Sequence, residues 1–159
     1  MLKQAHFERA AIALAVLFVF FFSNSGTVPS ANAQQPKALL LFGDDEHKTF
    51  LGCLNCSELN EVSVCKDLGK YGSNLQTNSI WNSFGTFGSD FSPVSPWNSF
   101  GTDAPIIVDN DGKSYGYFIA NAFHKDRTRI DWLVKILDYH DDKSDLDETR
   151  KLMCGHHCE

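Results

Sequence analysis

Cysteine and histidine are the residues of this sequence with the clearest capacity for chemistry. They form two groups, a Cys-x-x-Cys pair near residue 55 and a Cys-Gly-His-His-Cys run close to the C-terminus. Thiolate and imidazole groups are ligands that zinc and copper prefer, and two cysteines at this spacing can hold one ion. One hypothesis is therefore a zinc or copper site built from both groups. Its candidate ligands are Cys53, Cys56, Cys154, His156, His157 and Cys158.

Structural disulfides are the alternative use of the five cysteines. An odd number leaves one thiol unpaired, and the C-terminal pair can bond either to itself or back to the first group. Cys65 aligns with tryptophan in two related segments described below. We therefore expect Cys65 to face inward and to be a poor reactive thiol.

A third hypothesis is thiol–disulfide exchange, because a Cys-x-x-Cys after a strand and a terminal helix follow the element order of thioredoxin-like proteins. That chemistry requires a long helix after the second cysteine, whose N-terminus favours the thiolate. Glycine-rich segments begin soon after Cys56 instead. The hypothesis therefore holds only if residues 56–68 are helical.

Residues 1–33 have the pattern of a secretory signal peptide. Lys3 and Arg9 precede an apolar run at 10–22, and Ala31 and Ala33 are the small residues that a signal peptidase accepts. We expect cleavage after Ala33 and export to the periplasm or the medium, with no stable membrane insertion of the mature chain. The formal net charge of −6 argues against a nucleic-acid partner.

Residues 34–140 are predicted to form a single α+β domain. Apolar runs at 38–42 and 49–54 flank turn residues, and a stronger hairpin signal surrounds Asp109-Asn110-Asp111-Gly112. Two hairpins predict a small antiparallel sheet. Apolar residues at positions 130, 133, 134 and 137 have helical spacing, which predicts one amphipathic helix. Residues 141–159 are assigned to an acidic tail rich in cysteine and histidine.

The segment between the hairpins repeats itself every sixteen residues over positions 63–103. Ser63, Ser79 and Ser95 begin three copies, and bulky apolar residues and glycines follow in register. Interior glycines disfavour a helix. We predict successive tight turns wrapped over the sheet, with the aromatic rings packed inward and no enzyme-like cleft.

An exposed platform on which sugars or other flat ligands stack is the alternative role for the aromatic residues of these repeats. A row of rings presented in the same register gives such a ligand several equivalent contacts. The ligand-stacking candidates are Trp81, Phe84, Phe87, Trp97 and Phe100.

Three stretches of this chain resemble a group of small exported bacterial proteins whose function is uncharacterised. They are Phe50-Leu51-Gly52-Cys53-Leu54-Asn55-Cys56, the tandem pattern Ser-Ile-x-Asn-x-(Tyr/Phe)-Gly-x-(Tyr/Phe)-Gly-Ser, and residues 105–121 with their Gly-Tyr-Phe strand. The resemblance covers roughly residues 38–130. It implies an exported bacterial globular protein and no particular activity.

The sequence contains no motif for a catalytic nucleophile, a phosphate-binding loop or a metalloprotease helix. We therefore expect an exported, non-enzymatic binding or structural module cross-linked by cysteines, with cell-envelope polysaccharide or protein as its partner. The alternatives are a periplasmic zinc- or copper-binding protein and a thiol–disulfide oxidoreductase.

Overall fold

A computed structural model describes residues 36–155 of the chain. The predicted leader and its cleavage point lie outside these residues, as do His156, His157 and Cys158. Four strands and two helices occur in the order β1 Leu40–Gly43, β2 Thr49–Cys53, β3 Ile106–Val108, β4 Ser114–Tyr117, α1 Asp131–Lys143 and α2 Leu146–Gly155. The α+β class predicted from the sequence is confirmed. In this part of the chain, no helix is long and apolar enough to cross a membrane.

The sheet is antiparallel, with the strand order β2-β1-β3-β4. Both predicted hairpins form, and pairing of β1 with β3 joins them into one sheet. Leu41, Leu51 and Ile107 lie on its buried face with no solvent exposure, as expected for apolar side chains that alternate along strands. The connection from β2 to β3 carries the repeated segment.

Each hairpin turn is held by one aspartate. Asp44 adopts a left-handed conformation (φ 73°), and the Thr49 hydroxyl and then the Lys48 N–H donate to its carboxylate, lowering its pKa to about 2. Burial alone raises the pKa of Asp109, but hydrogen bonds from the backbone of Lys113 and the hydroxyl of Tyr115 outweigh this effect. Together with the other hydrogen bonds that the carboxylate accepts, they lower the pKa of Asp109 to about 2.

These two carboxylates predict a specific loss of stability in acid. Both pKa values lie below the ordinary value of 3.8, so their stabilising effect is complete above about pH 4 and is lost as the pH falls towards 2. We expect Asp109→Asn to lower the melting temperature at pH 7 and to flatten its decline between pH 4 and 2, measured by circular dichroism. Asp45→Asn, in the other hairpin turn, is the control and should keep the wild-type profile. An unchanged profile for Asp109→Asn would contradict this assignment.

Residues 57–104 wind as a coil of turns that contains no helix or extended strand. The hydroxyls of Ser63, Ser79 and Ser95 each accept the backbone N–H two residues later, so positions sixteen apart make the same bond. The indole N–H of Trp81 donates to the carbonyl of Val64 at 2.7 Å, and that of Trp97 donates to Ile80 in the same way. The two indole rings stack at 5.3 Å, so each turn of the coil lies against the previous one.

Glycine is required where the coil folds back on itself. A Cβ atom on Gly72 would lie 2.1 Å from the carbonyl oxygen of Lys66, and one on Gly88 would lie 2.3 Å from that of Asn82. These distances are well inside van der Waals contact. The glycines thus allow backbone to pack on backbone, as the sequence predicts.

The prediction that the aromatic rings pack inward is correct for some residues and wrong for others. Trp81, Trp97 and Phe87 are buried and belong to the hydrophobic core. Phe84 and Phe100 point to solvent, with 99% and 90% of their surface exposed. An asparagine two positions earlier accepts the backbone N–H of each, so the same turn carries both residues.

Two helices occupy the C-terminal part, where one was predicted. The predicted helix is α1, and its buried face includes Leu133, Leu137 and His140. The second helix, α2, begins after Asp145, whose side chain accepts the N–H of Glu148 as an N-terminal cap. Thr149 and Met153 of α2 are fully buried. Helix α2 therefore contributes two buried side chains within the segment assigned to an acidic tail.

Candidate functional site

The four cysteines among the described residues form two disulfides. Cys53 bonds to Cys56, and Cys65 bonds to Cys154 across 89 positions of sequence, with Cα–Cα distances of 5.5 and 5.4 Å. The structure therefore links the C-terminal group back to the cluster of Cys53, Cys56 and Cys65, which is one of the two pairings left open by the sequence. Cys65 is buried, as expected from its alignment with tryptophan.

The disulfides include three of the six predicted metal ligands. In this oxidised form the sulfurs of Cys53, Cys56 and Cys154 are bonded to cysteine partners and do not present thiolates to an ion. Residues 36–155 contain no group of three or more His, Cys, Asp or Glu side chains arranged to hold a metal. The other three candidates, His156, His157 and Cys158, lie beyond the described residues.

The oxidoreductase hypothesis required a helix over residues 56–68, and this segment forms turns instead. Cys53 lies at the end of β2 with no exposed surface. The helix N-terminus that would activate a thiol is missing from this position, so the expectation of thioredoxin-like chemistry is corrected.

A cleft lies between the coil and α1, with a volume of about 340 Å³. We call it the aromatic cleft. Its size falls within the range of small-molecule sites in proteins. It is lined by Asp90, Phe91, Trp97, Asn98, Ser99, Phe100, His140, Asp141 and Ser144.

Two phenylalanines form the apolar part of the aromatic cleft. Phe91 is 94% exposed, and Phe100 is almost equally exposed. The hydroxyl of Ser89 accepts the N–H of Phe91 at 3.3 Å, and the amide oxygen of Asn98 accepts that of Phe100 at 2.9 Å. Since these bonds fix the backbone beneath each ring, a ligand meets rings whose attachment points are already ordered.

His140 lies at the base of the aromatic cleft and is only 2% exposed. Its Nε2 lies 3.1 Å from a carboxylate oxygen of Asp90, and its Nδ1 lies 3.1 Å from the hydroxyl of Thr149. That hydroxyl also donates to the carbonyl of Asp145. The imidazole ring packs against Trp97 with the centroids 4.8 Å apart. His140 therefore joins the coil to both helices and orients the Asp90 carboxylate.

Two carboxylates supply the polar part of the aromatic cleft. Oδ1 of Asp90 contacts His140, and Oδ1 of Asp141 accepts the hydroxyl of Ser99. The second oxygen of each carboxylate has no hydrogen-bond partner among residues 36–155, and both side chains reach solvent. Each can accept a hydrogen bond from a ligand hydroxyl.

The aromatic cleft contains serine, histidine and aspartate side chains, and their hydrogen bonds determine which groups can face a ligand. Serine–histidine catalysis needs the serine hydroxyl to be bonded to the imidazole. Ser99 donates to Asp141, while both nitrogens of His140 are occupied by Asp90 and Thr149. These residues therefore form no serine–histidine pair. Apolar rings beside free carboxylate oxygens suit a ligand with one apolar face and several hydroxyl groups.

The stacking residues predicted from the sequence are only partly brought together. Phe100 lines the aromatic cleft with Trp97, which is itself buried, whereas Phe84 is exposed outside the cleft. Trp81 and Phe87 are core residues, so their assignment as ligand contacts is corrected.

The other seven residues of the cleft were not predicted, among them Asp90, Phe91, His140 and Asp141. Two of them had a signal in the sequence. Phe91 aligns with Leu75 sixteen positions earlier, and His140 continues the inward-facing row of α1 after Leu133 and Leu137.

Comparison of this chain with protein-family models, with curated proteins and with solved structures finds no match.

Proposed function

We propose that this protein is an exported, disulfide-cross-linked binding module that holds cell-envelope polysaccharide in the aromatic cleft without transforming it. The observation that carries the proposal is the placement of two almost fully exposed rings, Phe91 and Phe100, beside the carboxylates of Asp90 and Asp141. A pyranose ring offers an apolar C–H face to the phenylalanines and hydroxyl donors to the carboxylates.

The exposure of these rings is itself an argument for a partner. Covering one phenylalanine side chain with a ligand is favourable by about 1.5–3 kcal/mol. The same turn type also presents Phe84 to solvent, held by Asn82 at 3.1 Å. A polymeric ligand can therefore meet more than one ring of the coil, which raises its overall affinity over that of a single sugar.

The two disulfides support the exported part of this proposal. Disulfides form and persist in oxidising compartments, so the pairs Cys53–Cys56 and Cys65–Cys154 fit an extracellular location. The pattern of residues 1–33 supplies the route of export.

A retention experiment tests the proposal. We expect the oxidised full-length mature chain to be retained by insoluble cell-envelope polysaccharide and to be eluted by soluble fragments of it. The proposal also predicts that incubation of the same mixture releases no new reducing ends. Hydrolysis without retention would place the protein in the enzyme class and overturn the proposal.

A further inference from the structure

A second cavity lies on another face of the domain, and it shares no residue with the aromatic cleft. It has a volume of about 570 Å³ and lies between β4 and the segment that leads into α1. Lys125, Arg127 and Arg129 line it, with Asp126 as its one acidic residue. A local excess of positive charge is unusual in a chain whose formal net charge is −6. We call this site the cationic cavity.

The three cations of this cavity are not equally available. Arg127 is engaged, because its Nε donates to the carbonyl of Ile119 at 2.9 Å and its guanidinium pairs with Asp138 at 2.7 Å. Arg129 is exposed and has no hydrogen-bond or ion-pair partner among residues 36–155. Lys125 is 89% exposed, and its one ion-pair contact is with the adjacent Asp126 at 3.8 Å. Arg129 and Lys125 are therefore available to a ligand.

The backbone that carries these cations is fixed to β4. The backbone N–H of Tyr117 donates to the carbonyl of Asp126, and the backbone N–H of Thr128 donates to the carbonyl of Tyr117, both at 2.8 Å. Gly116 permits this approach, since a Cβ at that position would lie 2.6 Å from the Asp126 oxygen. The charged side chains thus project from an ordered segment.

A hydroxyl completes the cationic cavity. Ser114 lines it and accepts the N–H of Gly116 at 3.2 Å, and its own O–H has no acceptor among residues 36–155. A guanidinium fork, an ammonium group and a hydroxyl donor are the groups that proteins use to bind oxyanions. The neighbouring acid, Asp126, weakens this attraction without cancelling it.

We propose that the cationic cavity binds one oxyanion group of a ligand, a phosphate, sulfate or carboxylate, through Arg129, Lys125 and Ser114. Phosphate, sulfate and carboxylate share one chemistry, since each is a compact anion with two or more acceptor oxygens. Arg129 provides the bidentate contact, and Lys125 provides charge.

An NMR titration tests this inference. The oxidised protein is titrated with inorganic phosphate, sulfate or galacturonate at ionic strength held constant with sodium chloride, and the amide signals of 114–117 and 125–130 are followed. We expect saturable shifts confined to these segments with at least one probe. The probe that binds tightest identifies the source of the anion. Linear, non-saturating shifts with all three probes would overturn the proposal.

Three variants distinguish a defined site from a general field of positive charge. Arg129→Gln should weaken binding of the tightest-binding probe about tenfold, because it removes the positive charge and the paired N–H donors of the guanidinium. Asp126→Asn should tighten binding, since it removes the one acidic side chain of the cavity. The matched control is Lys135→Gln, which removes an exposed cation that lines only the adjacent cavity, and it should change affinity less than twofold. Equal weakening by Arg129→Gln and Lys135→Gln would overturn the proposal.

Discussion

Replacing Trp97 by alanine is expected to lower the free energy of unfolding by about 3–5 kcal/mol, the usual cost of truncating a buried aromatic side chain. Trp97 is 1% exposed and contacts the rings of Trp81, Phe118 and His140 at 4.8–5.4 Å. Its indole N–H also donates to the carbonyl of Ile80. Truncation leaves a cavity between the coil and α1 and removes the donor for a buried carbonyl.

Urea denaturation monitored by circular dichroism measures this loss. Phe100→Ala is the matched control, because it removes a ring three positions away that is exposed to solvent. Its effect should stay within about 0.5 kcal/mol, as for ordinary surface substitutions. Similar losses for both variants would show that the coil does not distinguish inward from outward rings, against the structure described above.

Removal of the Cys65–Cys154 disulfide is the second prediction with a large effect. In the chain-entropy account, a disulfide stabilises the fold because it lowers the conformational entropy of the unfolded chain. This stabilisation is about 4.5 kcal/mol for a cross-link across 89 positions and about 2 kcal/mol for one across three positions. We therefore expect Cys65→Ala/Cys154→Ala to destabilise the domain by at least twice as much as Cys53→Ala/Cys56→Ala. The loss of contact between α2 and the coil adds to the difference.

Both partners are replaced in each variant, so that no new free thiol can pair with Cys158. Denaturant midpoints of the two double variants give the comparison directly. Equal midpoints would indicate that the bond from Cys65 to Cys154 does not hold α2 in place.

The strands and the first helix were predictable because their signals are local. Turn residues at Asp109 and Gly112 define the second hairpin, and the spacing of Leu133 and Leu137 defines the buried face of α1. The second helix was not predicted, because it follows an acidic run and four of its ten residues are charged. Its position depends on distant contacts, namely the bond from Cys154 to Cys65 and the contact of Thr149 with His140.

The direction of the aromatic rings could not be predicted from residue type. Trp81 follows a serine that accepts its N–H, and Phe84 follows an asparagine that does the same. One side chain is buried and the other is exposed. The local motif is therefore shared, and the difference arises from where each turn lies in the coil. The aromatic cleft depends on this difference, so its composition required the three-dimensional structure.

The most direct test of the proposed function is calorimetric titration of soluble cell-envelope polysaccharide fragments into three forms of the protein: wild type, Phe100→Ala and Phe123→Ala. Phe123 is the matched control, since it is 97% exposed and its N–H is held by Asn121 at 3.0 Å, yet it does not line the cleft. We predict binding by wild type and Phe123→Ala with equal affinity, and a loss of about tenfold or more for Phe100→Ala. Equal affinity of all three forms, or no binding by wild type, would contradict a carbohydrate site in the aromatic cleft.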